Sequence, residues 1–459
     1  MRSGSREIRE HGACGQLSFG RRTYPGSNTI ARQPFCWYVG QMQDIELYKK
    51  LLGITSPWVV SEVRLELKQR TVSVVVDYDG SIPVACPVCG GQAVIYDHQK
   101  RRWRHLDTMQ FKTIVECEVP RACCDEHGVK QLPVPWAEEN ARFTAMFEAL
   151  VIGFLKEASI SGVGGLVGLS WDEVAGIQER AVKRGLARRK KRPLEHVGVD
   201  ETSFQKRHEY VTIILDRHRD VVLEVLDDRK AETLERWLRS RPAHHLASIQ
   251  TLTMDMWDPF ILAARKCISD ADKKICFDRF HVAQHFGKAL DKVRAQEHRW
   301  LLGAAGSSPL TGTKYEWQRN ASRLDNRSRR DFMALSRMNL KTSRAWRIKE
   351  TASELWNYIY RSAAVKAWKS LLGWISRCRL EPVKKVGKML RTYFWGVLNA
   401  IVAQVSNAIL EAKNSRVQWV KKMACGFRNR KRFRMAILFH LGGLNLMPRS
   451  LKNYAFASI

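Results

Sequence analysis

Between Trp58 and Tyr78 apolar and polar residues alternate in part, as in LELKQRTVSVVVDY, which predicts a hairpin or paired strands. The rhythm changes over residues 141–155, where ARFTAMFEALVIGFL predicts a helix. Another helix is predicted from Trp171. Ser170 is a good N-cap, and Glu173, three residues on, completes a capping box. Val174, Ile177 and Val182 would face its partner, and Gly168, Leu169 and Ser170 form the turn before it. Glycines at 162, 164, 165 and 168 make the preceding helix short or irregular. This is a helix-turn-helix pattern whose second helix is placed to read a DNA groove, although many helical hairpins share it.

From His196 the pattern becomes α/β. HVGVDE, YVTIILDR and DVVLEVLD read as three strands, the last two joined by a short turn and so antiparallel. ETLERWLRS reads as a helix, ASIQTLTMD as a strand, PFILAARKC as a helix and KKICFDRFH as a fifth strand. Three antiparallel strands followed by helix, strand, helix and strand is the order of a ribonuclease H-like fold. In that fold the first and fourth strands lie side by side.

Residues 283–395 leave this rhythm. They are rich in Trp, Arg and Lys, mostly helical in pattern, and Pro382 marks one break. They read as an inserted helical domain. Eight of the fifteen tryptophans lie between Trp300 and Trp419; most are expected in a core, with one or two left to stack on unpaired bases. The core resumes near Val397. One helix is predicted there, with Val397, Ile401, Val405 and Ala408 as its apolar stripe and Gln404, Asn407, Glu411 and Asn414 as a polar face.

The predicted architecture is a multidomain α/β protein: a ribonuclease H-like core interrupted by a helical insertion and preceded by a metal-binding module and a helix-turn-helix. Residues 1–41 are polar and unpatterned, and read either as a flexible extension or as a start placed too early. The expected divisions are 42–137, a β-rich zinc module; 138–192, the helix-turn-helix with a basic linker; 193–282, the first part of the core; 283–395, the insertion; and 396–459, core completion with a basic C-terminal region.

Charge changes the picture more than length does. The 459 residues carry a formal net charge of +31 with an ordinary 45% apolar content, so the excess belongs to a folded protein and not to a disordered tail. Such a chain attracts polyanions. No apolar run approaches the ~18 residues of a spanning helix. The stretch Met146 to Leu155 is too short and contains Glu148, and no secretory signal is apparent. Eleven cysteines over this length do not form a disulfide scaffold; their clustering points to metal in a reducing compartment.

CPVCGG places Cys86 and Cys89 two residues apart, and PRACCDEHG does the same for Cys124 and His127. Such knuckles let both donors of a pair reach one ion, so the set reads as a structural Cys₃His zinc site with no open position. Cys123 is an alternative to Cys124 but leaves an unusual gap to His127. Between the pairs, Arg101, Arg102 and Arg104 flank Trp103; the stretch reads as DNA-backbone contact, with a solvated turn as the alternative.

Asp200 and Asp255 each end an apolar strand-like run, and the fold order brings those strand ends together. With Glu411 they make a carboxylate triad suited to two Mg²⁺ ions, Mn²⁺ being a possible substitute. Asp200 is the expected bridging ligand. Asp258, Asp278 and His281 are expected as supporting residues; His281 could orient a phosphate or a strand end, or cap the following helix. Two basic clusters, Arg188, Arg189, Lys190, Lys191 and Arg192 in the linker and Arg428, Arg430, Lys431 and Arg432 near the C-terminus, are expected on DNA phosphates.

These motifs occur in a specific order: CPVCG with CDEHG, PWA, LGLSWDEV, VDE, MDMWDPF, DRFH, then SNAILEAKNSR with CGFRNRKRF. In that order the chain resembles bacterial insertion-sequence transposases of the ISL-three group, within the Asp-Asp-Glu class, from Ile45 to Leu444. The resemblance implies that Asp200, Asp255 and Glu411 are the triad, and that the zinc and helix-turn-helix modules bind terminal inverted repeats. It also implies target DNA as a second partner, cleavage and 3′-OH strand transfer as the reaction, and a place in the bacterial cytoplasm at the nucleoid. Pairing two DNA ends calls for a homodimer or higher oligomer on DNA. The alternative is a sequence-specific DNA-binding regulator with a degenerate nuclease-like fold.

Overall fold

The computed structural model describes residues 44–205, 209–319, 326–405 and 408–453. The expected extension over residues 1–41 lies outside them.

After α1 (Asp44–Leu51), the partial alternation becomes an antiparallel hairpin of β1 (Trp58–Glu66) and β2 (Thr71–Tyr78). The sheet continues through β3 (Val84–Ala85), β4 (Gln92–Arg104), β5 (Lys112–Cys124) and β6 (Gly128–Gln131) in the order β1-β2-β5-β4-β3, with β6 on β5. The stretch around Trp103 is therefore the end of a 13-residue strand and not a solvated turn. Its alternation points Trp103 inward, where it meets Trp136 edge-to-face at 5.5 Å, and Trp136 meets Trp58 at 5.2 Å.

Next come α2 (Ala145–Glu157), α3 (Ile160–Val167) and α4 (Trp171–Arg188). Gly168 ends α3 in the left-handed conformation at φ +66°, a place where a side chain would be strained. The capping box of Ser170 and Glu173 opens α4 as predicted. Val174, Ile177 and Val182 are all buried, packed with Phe147 and Val151 of α2.

The third region contains β7 (His196–Gln205), β8 (Glu209–Asp216), β9 (Val221–Leu226), α5 (Ala231–Arg239), α6 (Ala243–Ala247), β10 (Thr251–Met254), α7 (Asp258–Cys267), α8 (Ala271–Lys274) and β11 (Ile275–Phe277). The sheet order is β11-β10-β7-β8-β9. β7, β8 and β9 are antiparallel neighbours, while β10 pairs parallel with both β7 and β11. The first and fourth strands are adjacent, as a ribonuclease H-like core requires. The short helices α6 and α8 have no counterpart in the predicted pattern. Asp200 does not end its strand, because burial keeps alternating beyond it through Thr202 and Phe204.

A long α9 (Arg279–Ala305) leads away from the sheet to α10 (Lys314–Gln318), α11 (Asn326–Arg337), α12 (Lys341–Glu354), α13 (Arg361–Arg377) and α14 (Glu381–Val402). Trp317, Phe332 and Trp346 interlock in the centre of this helical part. The buried Glu297 carboxylate accepts the Lys341 and Thr342 backbone N–H groups at 2.7 Å each and so caps α12. Pro382 sits in the first turn of α14, where its missing N–H costs nothing, so it starts a helix. Far along α14, Gly396 lies so close to Phe277 that a Cβ would come within 2.4 Å of the ring. That approach brings the chain back to the sheet.

The single helix predicted from Val397 to Asn414 is two. α14 ends at Val402, and Gln404 turns the backbone at φ +48° while its side chain donates to the Tyr358 carbonyl. Val397 and Ile401 therefore belong to α14, whereas Glu411 and Asn414 belong to α15 (Ala408–Met423). Finally, α16 (Arg430–Leu441) packs on β9 and α4, closing the C-terminal segment over both the sheet and the helix-turn-helix.

Candidate metal centres

The parallel register Thr253↔Gly198 explains the first centre. Two residues beyond that pair, Asp200 within β7 and Asp255 just past the end of β10 stand at the same level on adjacent strands. β11 then leads into α9, whose first turn supplies His281. The Asp200 and Asp255 carboxylates and the His281 imidazole place ligand atoms within 4.8 Å of one another. Asp278 caps α9 by accepting the Phe280 N–H at 2.7 Å. That cap fixes the turn from which His281 Nε2 reaches Asp255 Oδ1 at 2.7 Å, with Asp278 Oδ2 3.9 Å away.

Asp200 is held from two sides. The Glu201 N–H donates to Oδ1 at 2.7 Å, and Asn414 Nδ2 on α15 donates to Oδ2 at 2.6 Å. Burial, and then the neighbouring Asp255 charge, still push its carboxyl up to about 6. Burial does the same to Asp278, also to about 6. Burial works against a charged His281, but the hydrogen bond and charge of Asp255, with Asp278 and Asp200 behind, outweigh it and raise the imidazole to about 9. The centre is thus a buried acidic site short of positive charge, and paired carboxylate oxygens of this kind fit a hard divalent cation. His281 fits the part of counter-charge and support for Asp255.

Glu411 lies on α15 one turn before Asn414; its side chain falls outside the described residues. Asp258 stands apart from the cluster: it opens α7 and accepts the Tyr393 hydroxyl at 2.9 Å. The sequence does not single out the seam that anchors α15 to β7. Asn414 bonds Asp200, Gln418 donates to the Thr202 hydroxyl at 3.1 Å, and Lys421 donates to the Ser203 carbonyl at 3.0 Å. Their spacing of four and three residues is the only trace of it in the sequence. Beside the centre, Arg229 pairs with Glu201 at 3.7 Å and lies 5.2 Å from the Trp257 ring, which is half exposed.

The second centre gathers Cys86, Cys89, Cys124 and His127, again within 4.8 Å. The Gly90 N–H reaches the Cys86 carbonyl, and the Cys86 N–H reaches the Gly91 carbonyl, at 2.8 Å each, with Gly90 at φ +73°. Cys89 and Cys124 sulfurs stand 3.8 Å apart, and His127 Nδ1 is 3.6 Å from Cys124 and 4.0 Å from Cys86. A tetrahedron with Zn–S bonds of about 2.3 Å has edges of about 3.8 Å, and these three spacings match it, so the donor set fits zinc. Cys124, and not Cys123, belongs to the cluster.

Several basic residues expected on DNA have partners within the chain. Arg101 donates to Gln131 and the Ala141 carbonyl, Arg102 pairs with Glu116 at 2.8 Å, and Arg104 pairs with Asp107. Arg188 donates to the Met447 carbonyl, and Arg189 to the carbonyls of Val222, Leu223 and Gly442. Arg430 pairs with Glu209, and Lys431 and Arg432 both approach Glu179 of α4. Lys190, Lys191, Arg192 and Arg428 remain exposed.

Family profiles match in the same order as these structures. A zinc-finger profile of the transposases IS204, IS1001, IS1096 and IS1165 covers residues 82–127, and the helix-turn-helix profile of transposase family ISL3 covers 132–182. The ISL3 transposase profile covers 197–437, more than half of the chain. The chain belongs to the ISL3 transposase family. Among its relatives, the transposase for insertion sequence element IS1557 of Mycobacterium tuberculosis is 24% identical over 421 residues, covering 84% of this chain and 93% of the relative. The transposase for IS1001 of Bordetella parapertussis is 20% identical over 372 residues, covering 80% and 91%. The molecule is thus a multidomain ISL3 transposase with a zinc ribbon, a helix-turn-helix and a mixed α/β core. Among the described residues no helix is long and apolar enough to cross a membrane.

Proposed function

We propose that this transposase binds the terminal inverted repeats of its element and performs both DNA cleavage and strand transfer at the Asp200–Asp255 centre. The observation that carries the reading is the convergence of two carboxylates from adjacent parallel strands in a chain of net charge +31. Glu411 is the third carboxylate in this reading, since it lies one turn from Asn414 on the helix that meets Asp200. Asp200, Asp255 and Glu411 would hold Mg²⁺, or Mn²⁺ in its place. Paired ions of this kind supply activation of an attacking oxygen and stabilisation of a leaving one.

In the first step the oxygen of water forms a bond to phosphorus, and the bond to the 3′ oxygen breaks, freeing a 3′-OH and leaving a 5′-phosphate. In the second step the oxygen of that 3′-OH loses its proton and bonds to a target phosphorus, the bond from that phosphorus to its own 3′ oxygen breaks, and the released target strand end takes up a proton to become a 3′-OH. Both are substitutions at phosphorus, so one site serves both and no protein–DNA bond forms. His281 holds Asp255 in place, and Asn414 holds Asp200. Zinc in the Cys86, Cys89, Cys124 and His127 cluster would keep the ribbon folded for end binding. The division of labour follows the chain: ribbon over 42–137, helix-turn-helix and linker over 138–192, core over 193–282 with 396–459, and 283–395 as the organiser of a dimer or higher oligomer.

The test uses purified protein, Mg²⁺ and labelled candidate element ends. Nicks bearing 3′-OH groups, followed by joined products, are expected. Binding across several ends without nicking or joining contradicts the reading and favours a regulator. One chain per active paired-end complex, measured by mass, contradicts the oligomer.

A further inference from the structure

The basic linker does two different things, and the difference exposes a site. Arg189 and Arg188 are clamps that tie the end of α4 to the edge strand β9 and to the C-terminal segment, through the carbonyls of Val222, Leu223, Gly442 and Met447. Two glycines let these parts close up: a Cβ on Gly185 would meet Leu444 at 2.7 Å, and one on Gly443 would meet Val221 at 2.5 Å. The clamped walls enclose a groove of about 880 Å³, open to solvent and floored by β9. Lys190, Lys191 and Arg192 stand on one side of it, and Arg219, Arg241 and His245 line it as well.

The charges in this groove are not balanced. Glu224 is the one carboxylate on its wall among the described residues, and Arg434 already holds that group in a two-point pair at 2.7 and 3.0 Å. Arg219 is paired with Asp216 at 3.0 Å. Among the described residues Arg241 has no carboxylate partner; it lies over the Trp237 ring at 5.0 Å and bonds the Ser240 hydroxyl. Lys190, Lys191 and Arg192 are exposed and make no side-chain hydrogen bond or ion pair among the described residues. Four cations without a carboxylate partner among the described residues, set around a concave wall, match a run of phosphates, and contacts to phosphates carry no sequence information directly.

The groove is also separate from the chemistry. It sits at Val221 and Leu223 of β9, two strands from β7, whereas Asp200 is level with Val225 through Ile213. Adjacent strands are about 4.8 Å apart, so the groove lies on the order of 10 Å or more from the carboxylates.

We propose that this groove between α4, β9 and the Gly442–Asn445 segment is a second DNA-backbone site, binding phosphodiester phosphates without sequence preference. The inference rests on the DNA reading above and adds a location to it. The test measures binding of the full-length protein to duplex DNA across a salt series, without Mg²⁺, for a terminal end and for an unrelated sequence. The Lys190→Gln, Lys191→Gln, Arg192→Gln and Arg241→Gln combination should weaken both duplexes by about tenfold or more and lower the salt slope by about 3.6, given ~0.9 for each of four phosphate contacts. In the unaltered protein, DNA should also protect Lys190 and Lys191 from acetylation, a readout that does not depend on the variant folding. An unchanged slope, equal labelling with and without DNA, or a loss confined to the terminal sequence overturns the groove. If the unaltered protein binds no DNA at all, the transposition reading fails with it; if it binds with the groove unprotected, only the groove fails.

Discussion

Asn414 and Asp200 are 214 residues apart in the chain, yet the Asn414 amide donates to the Asp200 carboxylate at 2.6 Å. The bond joins α15 to β7 at the acidic centre. It also fixes one oxygen of the more buried of the two clustered carboxylates. Asn414→Ala should reduce cleavage by about ten- to a hundredfold, the effect of losing one hydrogen bond to a charged group worth ~1.5–3 kcal/mol. End binding should be unchanged. Equal losses of binding and cleavage would show a folding role for α15 and no positioning of Asp200.

The CC doublet gives a clean contrast. Cys124 belongs to the four-donor cluster, whereas Cys123 pairs in the sheet opposite Val94 and Val129. Cys124→Ser and Cys86→Ser should each lower zinc content and weaken end binding, while Cys123→Ser should retain one zinc per chain. Metal analysis of the three purified variants checks this. Full zinc in Cys124→Ser would remove that residue from the ligand set.

His105 joins the ribbon to the helix-turn-helix. Its Nδ1 lies 2.8 Å from the hydroxyl of Thr144, the cap of α2. Burial, and then the Arg104 charge, lower the imidazole from 6.5 to about 4. A folded value below the unfolded one means that the unfolded chain takes up a proton first as pH falls. The contribution is therefore fully present above 6.5, is lost progressively towards 4, and amounts to at most about 3 kcal/mol. Thermal unfolding across that window should show a fall in stability that His105→Gln flattens. An identical pH dependence in both proteins would contradict it.

The basic linker should divide by position. Arg189→Ala leaves three carbonyls of the β9 and C-terminal seam without their donor, and should cost roughly 1–3 kcal/mol of stability. Lys190→Ala, one residue on, should cost less than about 0.5 kcal/mol. Denaturant midpoints for the pair measure this directly, and equal midpoints would contradict the clamp.

The contrast between neighbours also shows what the sequence could convey. Local periodicity carried the capping box at Ser170 and Glu173, the five strands of the core sheet and the cysteine knuckles, because each is written within a few residues. Strand order then brought Asp255 beside Asp200. The continuation of β7 past Asp200 was hidden, since Thr202 is polar yet buried. The break at Gln404 was hidden too, because no proline or glycine marks it. Composition says that Arg189 and Lys190 are alike; only the nearby carbonyls of β9 and Gly442 distinguish them. Asn414 reads as one polar residue among several until tertiary packing sets it against Asp200.

The most direct test compares Asp200→Asn with the unaltered protein on one labelled element end, following binding and Mg²⁺-dependent cleavage in the same reactions. Binding should be retained, and cleavage and joining should fall below detection. Cleavage by Asp200→Asn at the rate of the unaltered protein would contradict the assignment of this centre as the place where DNA is cut.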